Sequence, residues 1–285
     1  MRLSDLRKEY HQNICKNIIR IRKDKTKEYP NFADSGNRAS MKIAWNMIEQ
    51  FSCEISHEPV SAQTLGDFFE LYTKNYLEKS FALLAPLRPG KWLYSAKSSI
   101  TDFDQYEHLA NLEKIVSKNK ILSSALGGDY IVKPDIVVAR QPVSDDEVNC
   151  DKKLFDKTEK IAMYTPLLSS NSEKPYPILH ASISCKWTIR SDRSQNTRTE
   201  ALNLIRNRKG NLPHIAAVTA EPLPTRLAAL ALGTGDLDCV YHFALPELIK
   251  AIDNIKNEDQ SDMLHMIIDG KRLRDISDLP FDLSI

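Results

Sequence analysis

The chain has 285 residues, 42% hydrophobic and 27% charged, with 39 Lys+Arg against 38 Asp+Glu and a formal net charge of +1. This composition excludes fibrous and disordered classes, and near-neutrality excludes a global field that would draw the chain onto polyanions, so any such partner must be held by local clusters. No window approaches the roughly 20 apolar residues of a membrane span, and the opening MRLSDLRKEYHQ is charged where a secretory signal is apolar, so a cytoplasmic setting is expected.

In chain order, Leu3, Leu6, Tyr10, Ile14, Ile18 and Ile21 recur at helical spacing among nine Lys/Arg and three Asp/Glu in residues 1–27, predicting a basic N-terminal helix that occupies 1–29. A turn-rich loop from Tyr29 to Asn37 follows. Met41, Trp45, Ile48 and Phe51 predict a second helix, and Leu65, Phe68, Phe69, Tyr72 and Tyr76 the inward face of a third. Asp102 to Ser124 reads as a helix ending before Gly127-Gly128-Asp129. Tyr130 to Ala139 and Ile178 to Ile189 read as strands. Between them, residues 141–177 form an irregular insertion. A helix over Ser194 to Arg208, a strand over His214 to Thr219, a helix over Pro224 to Leu232, a strand over Asp238 to Phe243 and a helix over Leu245 to Ile255 complete the alternation. The expected fold is a single α/β domain over 1–285 with a mixed central sheet flanked by helices.

Several sites are absent from the sequence. It has no G-x-x-x-x-G-K-[ST], G-x-S-x-G or H-E-x-x-H, and Gly233-Thr234-Gly235 lacks the third glycine of a dinucleotide loop. The five cysteines (Cys15, Cys53, Cys150, Cys185 and Cys239) include no C-x-x-C, which indicates neither a disulfide framework nor a thiolate zinc site. The informative segments are KPDIVVAR and HASISCKWTIR. In the second, Ile183, Cys185, Trp187 and Ile189 alternate with Ser182, Ser184, Lys186 and Thr188, so a period of two buries one face and turns Lys186 to the other. In the first, Pro134 cannot donate to a ladder, which predicts an edge or a bulge where Asp135 projects.

A carboxylate after proline and a lysine on a neighbouring strand suit metal-dependent phosphodiester hydrolysis, the carboxylate holding a hard divalent cation and the ammonium orienting the attacking water. A second carboxylate is needed, and the position two before the lysine is Ser184. Glu200, at the margin of the following helix, is one candidate. Glu70, sharing a helix face with Gln63, Gly66 and Asp67, is another. Arg190-Ser191-Asp192-Arg193 follows the strand, with arginine suited to guanine and aspartate to cytosine in a major groove. From Lys186 to Lys209 there are seven Lys/Arg against two Asp/Glu, which favours phosphate contacts from Arg198, Arg206, Arg208 and Lys209.

ASISCKWTIRSDR, Glu200, LNLIRNRKG, VTAEPLPTR, LALGTGDLDCVYHFAL and GKRLRDISDLP resemble the NgoMIV-like restriction endonucleases, PD-(D/E)XK nucleases that cut around a CCGG core. The resemblance covers most of the chain but not the first thirty residues or the insertion. It implies a variant fold in which serine replaces the usual acidic residue and a glutamate on the next helix takes its role. It places Asp135, Lys186, Glu200 and Glu70 in the active site, with Mg2+ held by Asp135 and the backbone carbonyl of Cys185. It assigns Arg190, Asp192 and Arg193 to the CCGG core, Gln63 to the minor groove, and Asp34 and Arg226 to the outer G·C pair. The loop Asp34-Ser35-Gly36-Asn37 has Ser and Gly exchanged compared with the family. Implied partners are double-stranded DNA, cut at GCCGGC after the first G to leave a 5' CCGG overhang, and a cognate DNA methyltransferase. A palindromic site requires a two-fold dimer, and the resemblance implies a homotetramer. Two other readings are a DNA-binding protein without cleavage and a structure-selective repair nuclease of similar fold.

Overall fold

In the computed structural model the described residues are 2–24, 27–51, 55–126, 131–156, 158–233 and 235–285, with the side chains of 123, 125, 126 and 191–193 outside the description. The elements in chain order are α1 (Leu3–Asn17), β1 (Ile21–Asp24), β2 (Lys27–Pro30), α2 (Arg38–Ile48), α3 (Ala62–Leu83), β3 (Trp92–Ala96), α4 (Glu107–Ser117), α5 (Lys120–Leu126), β4 (Ile136–Arg140) and α6 (Asp145–Val148). They continue with β5 (Ile178–Lys186), α7 (Ser191–Asn207), β6 (His214–Thr219), α8 (Pro224–Ala231), β7 (Cys239–His242), α9 (Leu245–Ile255), α10 (Glu258–Asp269), β8 (Leu273–Asp275) and α11 (Leu279–Asp282). The central sheet is mixed, in the order β3-β4-β5-β6-β7-β8, and helices flank it, as the alternation of elements predicts.

The chain divides into two compact units. One comprises residues 1–88, 183–201 and 215–285, and the other 89–182 and 202–214. In the first, β6, β7 and β8 run parallel, with Ala216 opposite Cys239 and Val240 opposite Leu273. In the second, β3 and β4 are antiparallel, with Trp92 opposite Arg140 and Ala96 opposite Ile136. That unit also holds residues 141–177, whose helical content is α6 and a 3₁₀ turn at Ser169–Asn171.

Capping side chains set several helix starts. Asn37 Oδ1 accepts the Ser40 N–H at 3.0 Å before α2, and Ser61 Oγ accepts the Thr64 N–H at 3.0 Å before α3. Five expected boundaries are corrected. The N-terminal helix ends at Asn17, because the following Ile18, Ile19 and Ile21 are β-branched and buried; the chain then enters an antiparallel hairpin of β1 and β2, with Ile21 opposite Pro30. The helix expected over Asp102 to Ser124 is broken at Asn119, whose Oδ1 caps the N–H groups of Ile121 and Leu122 at 3.0 and 3.2 Å.

The strand expected from Tyr130, which lies outside the described residues, begins among the described ones at Ile136, since Pro134 lacks an N–H. Pro134 thus precedes the strand, and β4 lies between β3 and β5, so the edge or bulge expected at Asp135 is not there. The strand expected to reach Ile189 stops at Lys186. Helix α7, expected from Ser194, starts at Ser191, so residues 191–193 of the strand-to-helix junction belong to the helix. Cys150, Cys185 and Cys239 lie outside any disulfide, whereas Cys15 is disulfide-bonded, a pairing for which the spacing gave no signal. Among the described residues no helix is long and apolar enough to cross a membrane.

His242 on β7 has no exposed surface, and its Nδ1 accepts the Ala244 N–H at 3.1 Å. Burial pushes its pKa down to about 4, so it is neutral in the fold. Because the unfolded imidazole titrates near 6.5, the stability present above that pH is lost as pH falls towards 4, by on the order of 3 kcal/mol. His242→Asn offers an acceptor without a titrating ring. Denaturant unfolding at pH 7.5 and pH 4 is expected to show the wild type losing about 3 kcal/mol more than this variant; parallel losses would remove His242 as the cause.

Candidate active site

Within the first unit, four aromatic side chains from distant parts of the chain form one cluster. Phe32 meets Trp187 edge-on at 5.7 Å, Phe69 meets Trp187 at 5.2 Å, and Trp187 and Phe243 lie 5.7 Å apart. All four are buried. Such rings contribute large buried areas and lock the backbone on either side of them. Lys186 adjoins Trp187, Glu70 adjoins Phe69, and Asp34 stands two residues from Phe32. These three polar residues are thus held above a common apolar floor, where they line one open cleft of about 1050 Å³.

Lys186 is the last residue of β5. Ile183, Cys185, Trp187 and Ile189 are buried, while Ser184, Lys186 and Thr188 remain half-exposed, as the period of two predicts; Ser182, expected on that same outward face, is buried. Glu200 lies on α7 beside the buried Ser194, Thr197 and Ala201, and its half-exposed side chain reaches the same cleft. Glu70, on α3, also lines it, together with Cys185, Gln63 and Gly66. A Cβ added at Gly66 would meet nothing within 4 Å, so the helix surface there is open. Gln63 Nε2 donates to Asp67 Oδ1 one turn along at 3.1 Å. The structure therefore brings Glu70, Cys185, Lys186 and Glu200 to one cleft. Asp135 belongs to the other unit, immediately before β4, where its carbonyl accepts the Lys97 N–H at 3.3 Å. Among the described residues no three His, Cys, Asp or Glu side chains converge as a ready-made metal cage.

Arg190 is exposed at the start of α7 and lines the cleft, its carbonyl accepting the Ser194 N–H at 2.9 Å. The side chains of Asp192 and Arg193 lie outside the described residues. Asp34 and Arg226, 192 positions apart, form an ion pair through Oδ2 and Nη2, while Asp34 Oδ1 accepts the Gly36 N–H at 2.9 Å. A Cβ at position 36 would stand 3.4 Å from that same oxygen, so glycine leaves the turn unstrained.

Two findings go beyond the sequence reading. Arg198, expected at phosphate, donates from Nη2 to the Ala229 carbonyl at 2.6 Å, tying α7 to the end of α8. Glu221, not singled out by the sequence, is fully buried and bonded to the backbone on both sides of the cleft wall. Burial pushes its carboxyl up to about 7 against the pull of those donors and of Arg226. The only sequence signal was a lone glutamate within the apolar stretch VTAEPL.

The cleft, with a lysine at a strand end, two glutamates from flanking helices and arginines at its rim, has the chemistry of a site-specific nuclease. The chain belongs to the NgoMIV restriction enzyme family, whose family model matches residues 10–285. It is 46% identical over 258 residues to the type II restriction enzyme NgoMIV of Neisseria gonorrhoeae, covering 89% of each chain. Two solved structures are also similar: the type IIF restriction endonuclease Bse634I with cognate DNA (17% identity, TM-score 0.38, 85% of this chain and 98% of the other) and Bse634I restriction endonuclease (15%, 0.35, 86% and 99%).

Proposed function

We propose that the protein cleaves double-stranded DNA at GCCGGC after the first G, leaving 5' CCGG overhangs, by Mg2+-dependent hydrolysis on the variant PD-(D/E)XK pattern. One observation carries this reading. Lys186, Glu200 and Glu70 line the same cleft as Arg190, Gln63, Asp34 and Arg226, so the residues for hydrolysis and those for base reading converge.

Asp135, Glu200 and the Cys185 carbonyl are hard oxygen donors of the kind Mg2+ takes, and one or two carboxylates suffice because this ion keeps waters and uses substrate phosphate oxygens. Bound there, Mg2+ would supply Lewis-acid stabilisation of the developing negative charge. The Lys186 ammonium orients the attacking water and offsets charge on the phosphoryl oxygens. With Ser184 a poor ligand, Glu200 supplies the second carboxylate. Arg190, Asp192 and Arg193 read the CCGG core, Gln63 reads the minor groove, and Asp34 and Arg226 read the outer pair as a preformed couple. Each lost base contact costs about 1 to 3 kcal/mol of discrimination.

A single such set reads half of a palindrome, so the catalytic unit is a two-fold dimer. Family likeness supports a homotetramer acting on two sites, a cognate methyltransferase and a cytoplasmic setting. Plasmids bearing one or two GCCGGC sites, incubated with Mg2+, test these points together. Expected are overhanging CCGG ends, faster cutting of the two-site plasmid and a tetrameric scattering mass. Sequence-specific binding without cutting would show a silent DNA-binding protein, and ends without a common sequence a structure-selective nuclease. A dimeric mass with equal rates would remove the tetramer alone.

A further inference from the structure

Glu221 sits in the connection between β6 and α8 and has no exposed surface. Its two carboxylate oxygens hold separate pieces of chain. Oε2 accepts the Ile189 N–H at 3.0 Å, and Oε1 accepts the Leu223 N–H at 3.2 Å. Ile189 leads directly into Arg190, whose carbonyl accepts the first helical bond of α7. Leu223 is the N-cap residue of α8, the helix that carries Arg226. Arg226 Nη1 stands 3.9 Å from Glu221 Oε2, while Nη2 of the same guanidinium pairs with Asp34. Polar contacts therefore run from the Ile189 N–H, next to Arg190, through one buried carboxyl to Arg226 and Asp34.

A buried carboxyl is costly to keep, but an apolar side chain here would leave the buried Ile189 and Leu223 N–H groups without their acceptor. What the carboxyl adds is a joint of fixed geometry between two segments that packing alone would leave independent. We infer that Glu221 is a positioning residue that fixes the Arg190 segment and the Arg226 helix relative to each other, so that core and outer base pairs are read as one unit. This rests on the base-reading roles proposed above for Arg190 and Arg226.

The test measures binding without divalent metal, so that no cutting intervenes, on three duplexes: GCCGGC, the same site with its outer pair changed, and the same site with one core pair changed. Wild type, Glu221→Gln and Arg226→Ala are compared as ratios of Kd. Glutamine keeps the shape but offers one acceptor oxygen in place of two. Glu221→Gln is expected to lower discrimination against both altered duplexes, by about tenfold each, with affinity for unrelated DNA unchanged. Arg226→Ala should relax the outer pair alone. A loss of packing would weaken all duplexes alike and leave the ratios intact, so the pattern separates positioning from mere stability. Melting curves show the folded range of each variant, and ratios are taken below its transition. Unchanged ratios for Glu221→Gln, or loss confined to the outer pair, would overturn the joint role. If wild type prefers another hexamer, the proposed recognition site fails, and the same comparison on that hexamer still decides Glu221.

Discussion

Lys186→Ala and Asp135→Ala are expected to lower cleavage of a GCCGGC duplex by roughly 10³-fold or more while cognate binding persists. The reason lies in the division of labour within the cleft. In the function proposed above, Lys186, at the end of a buried strand, acts on water and phosphate, whereas the groove contacts are assigned to Arg190 onward, the Asp34 loop and α8, which line the same cleft. Removing the ammonium leaves the base-reading surface unaltered. Glu200→Ala should be comparably impaired and Ser184→Ala much less so, because the proposed second carboxylate is Glu200 on α7, not a residue of the strand. Single-turnover cleavage with binding measured in parallel decides this. Cutting retained by Lys186→Ala or Asp135→Ala would remove the active-site assignment, and a Ser184→Ala defect larger than that of Glu200→Ala would return the acidic role to the strand.

Arg7→Ala is expected to destabilise the fold by about 3 kcal/mol or more at neutral pH, although the residue lies in no proposed contact with DNA. Its guanidinium is bonded to two carboxylates at once. Nε and Nη2 donate to Asp275 at 2.9 Å each, and Nη1 and Nη2 donate to Glu247 at 2.9 and 2.7 Å. Asp275 also accepts the Leu245 N–H and the Ser277 N–H and hydroxyl. Burial by itself would raise both acids, yet the bonds from Arg7 hold each below its ordinary range. Their contribution is therefore present at neutral pH and is lost as pH falls through the acidic range. Truncation leaves two largely desolvated carboxylates without their cation and loosens α1 from β8 and α9. Denaturant unfolding at pH 7 and pH 4 should show a wide gap between wild type and variant that narrows in acid. A gap below about 1 kcal/mol at pH 7 would place the cluster with ordinary surface pairs.

Local pattern made much of the fold legible from residues alone. The period of two from Ile183 to Ile189 places Lys186 opposite the buried face, and the apolar spacing over α3 defines the face on which Gln63, Gly66 and Glu70 share a side. His214 to Thr219 and Leu245 to Ile255 have the bounds that their runs predict. Each of these depends only on neighbours within a few residues, where side-chain periodicity and backbone preference act directly. Serine two positions before the lysine likewise leads to the expectation that a second carboxylate comes from elsewhere.

Other features depended on partners far along the chain. Strands β3 and β8 are absent from the sequence reading and are defined by their pairing with β4 and β7. The end of α1 at Asn17 follows from the isoleucines entering the core, which overrode the helical spacing that ran on through Ile21. Asp34 and Arg226 become a couple only once the Phe32, Phe69, Trp187 and Phe243 rings pack together. Glu221 gained a role only when folding enclosed it between Ile189 and Leu223. No local period records such meetings, because each joins segments tens to nearly two hundred residues apart. Their stability comes from burial and from hydrogen bonds that exist only after the chain has closed on itself.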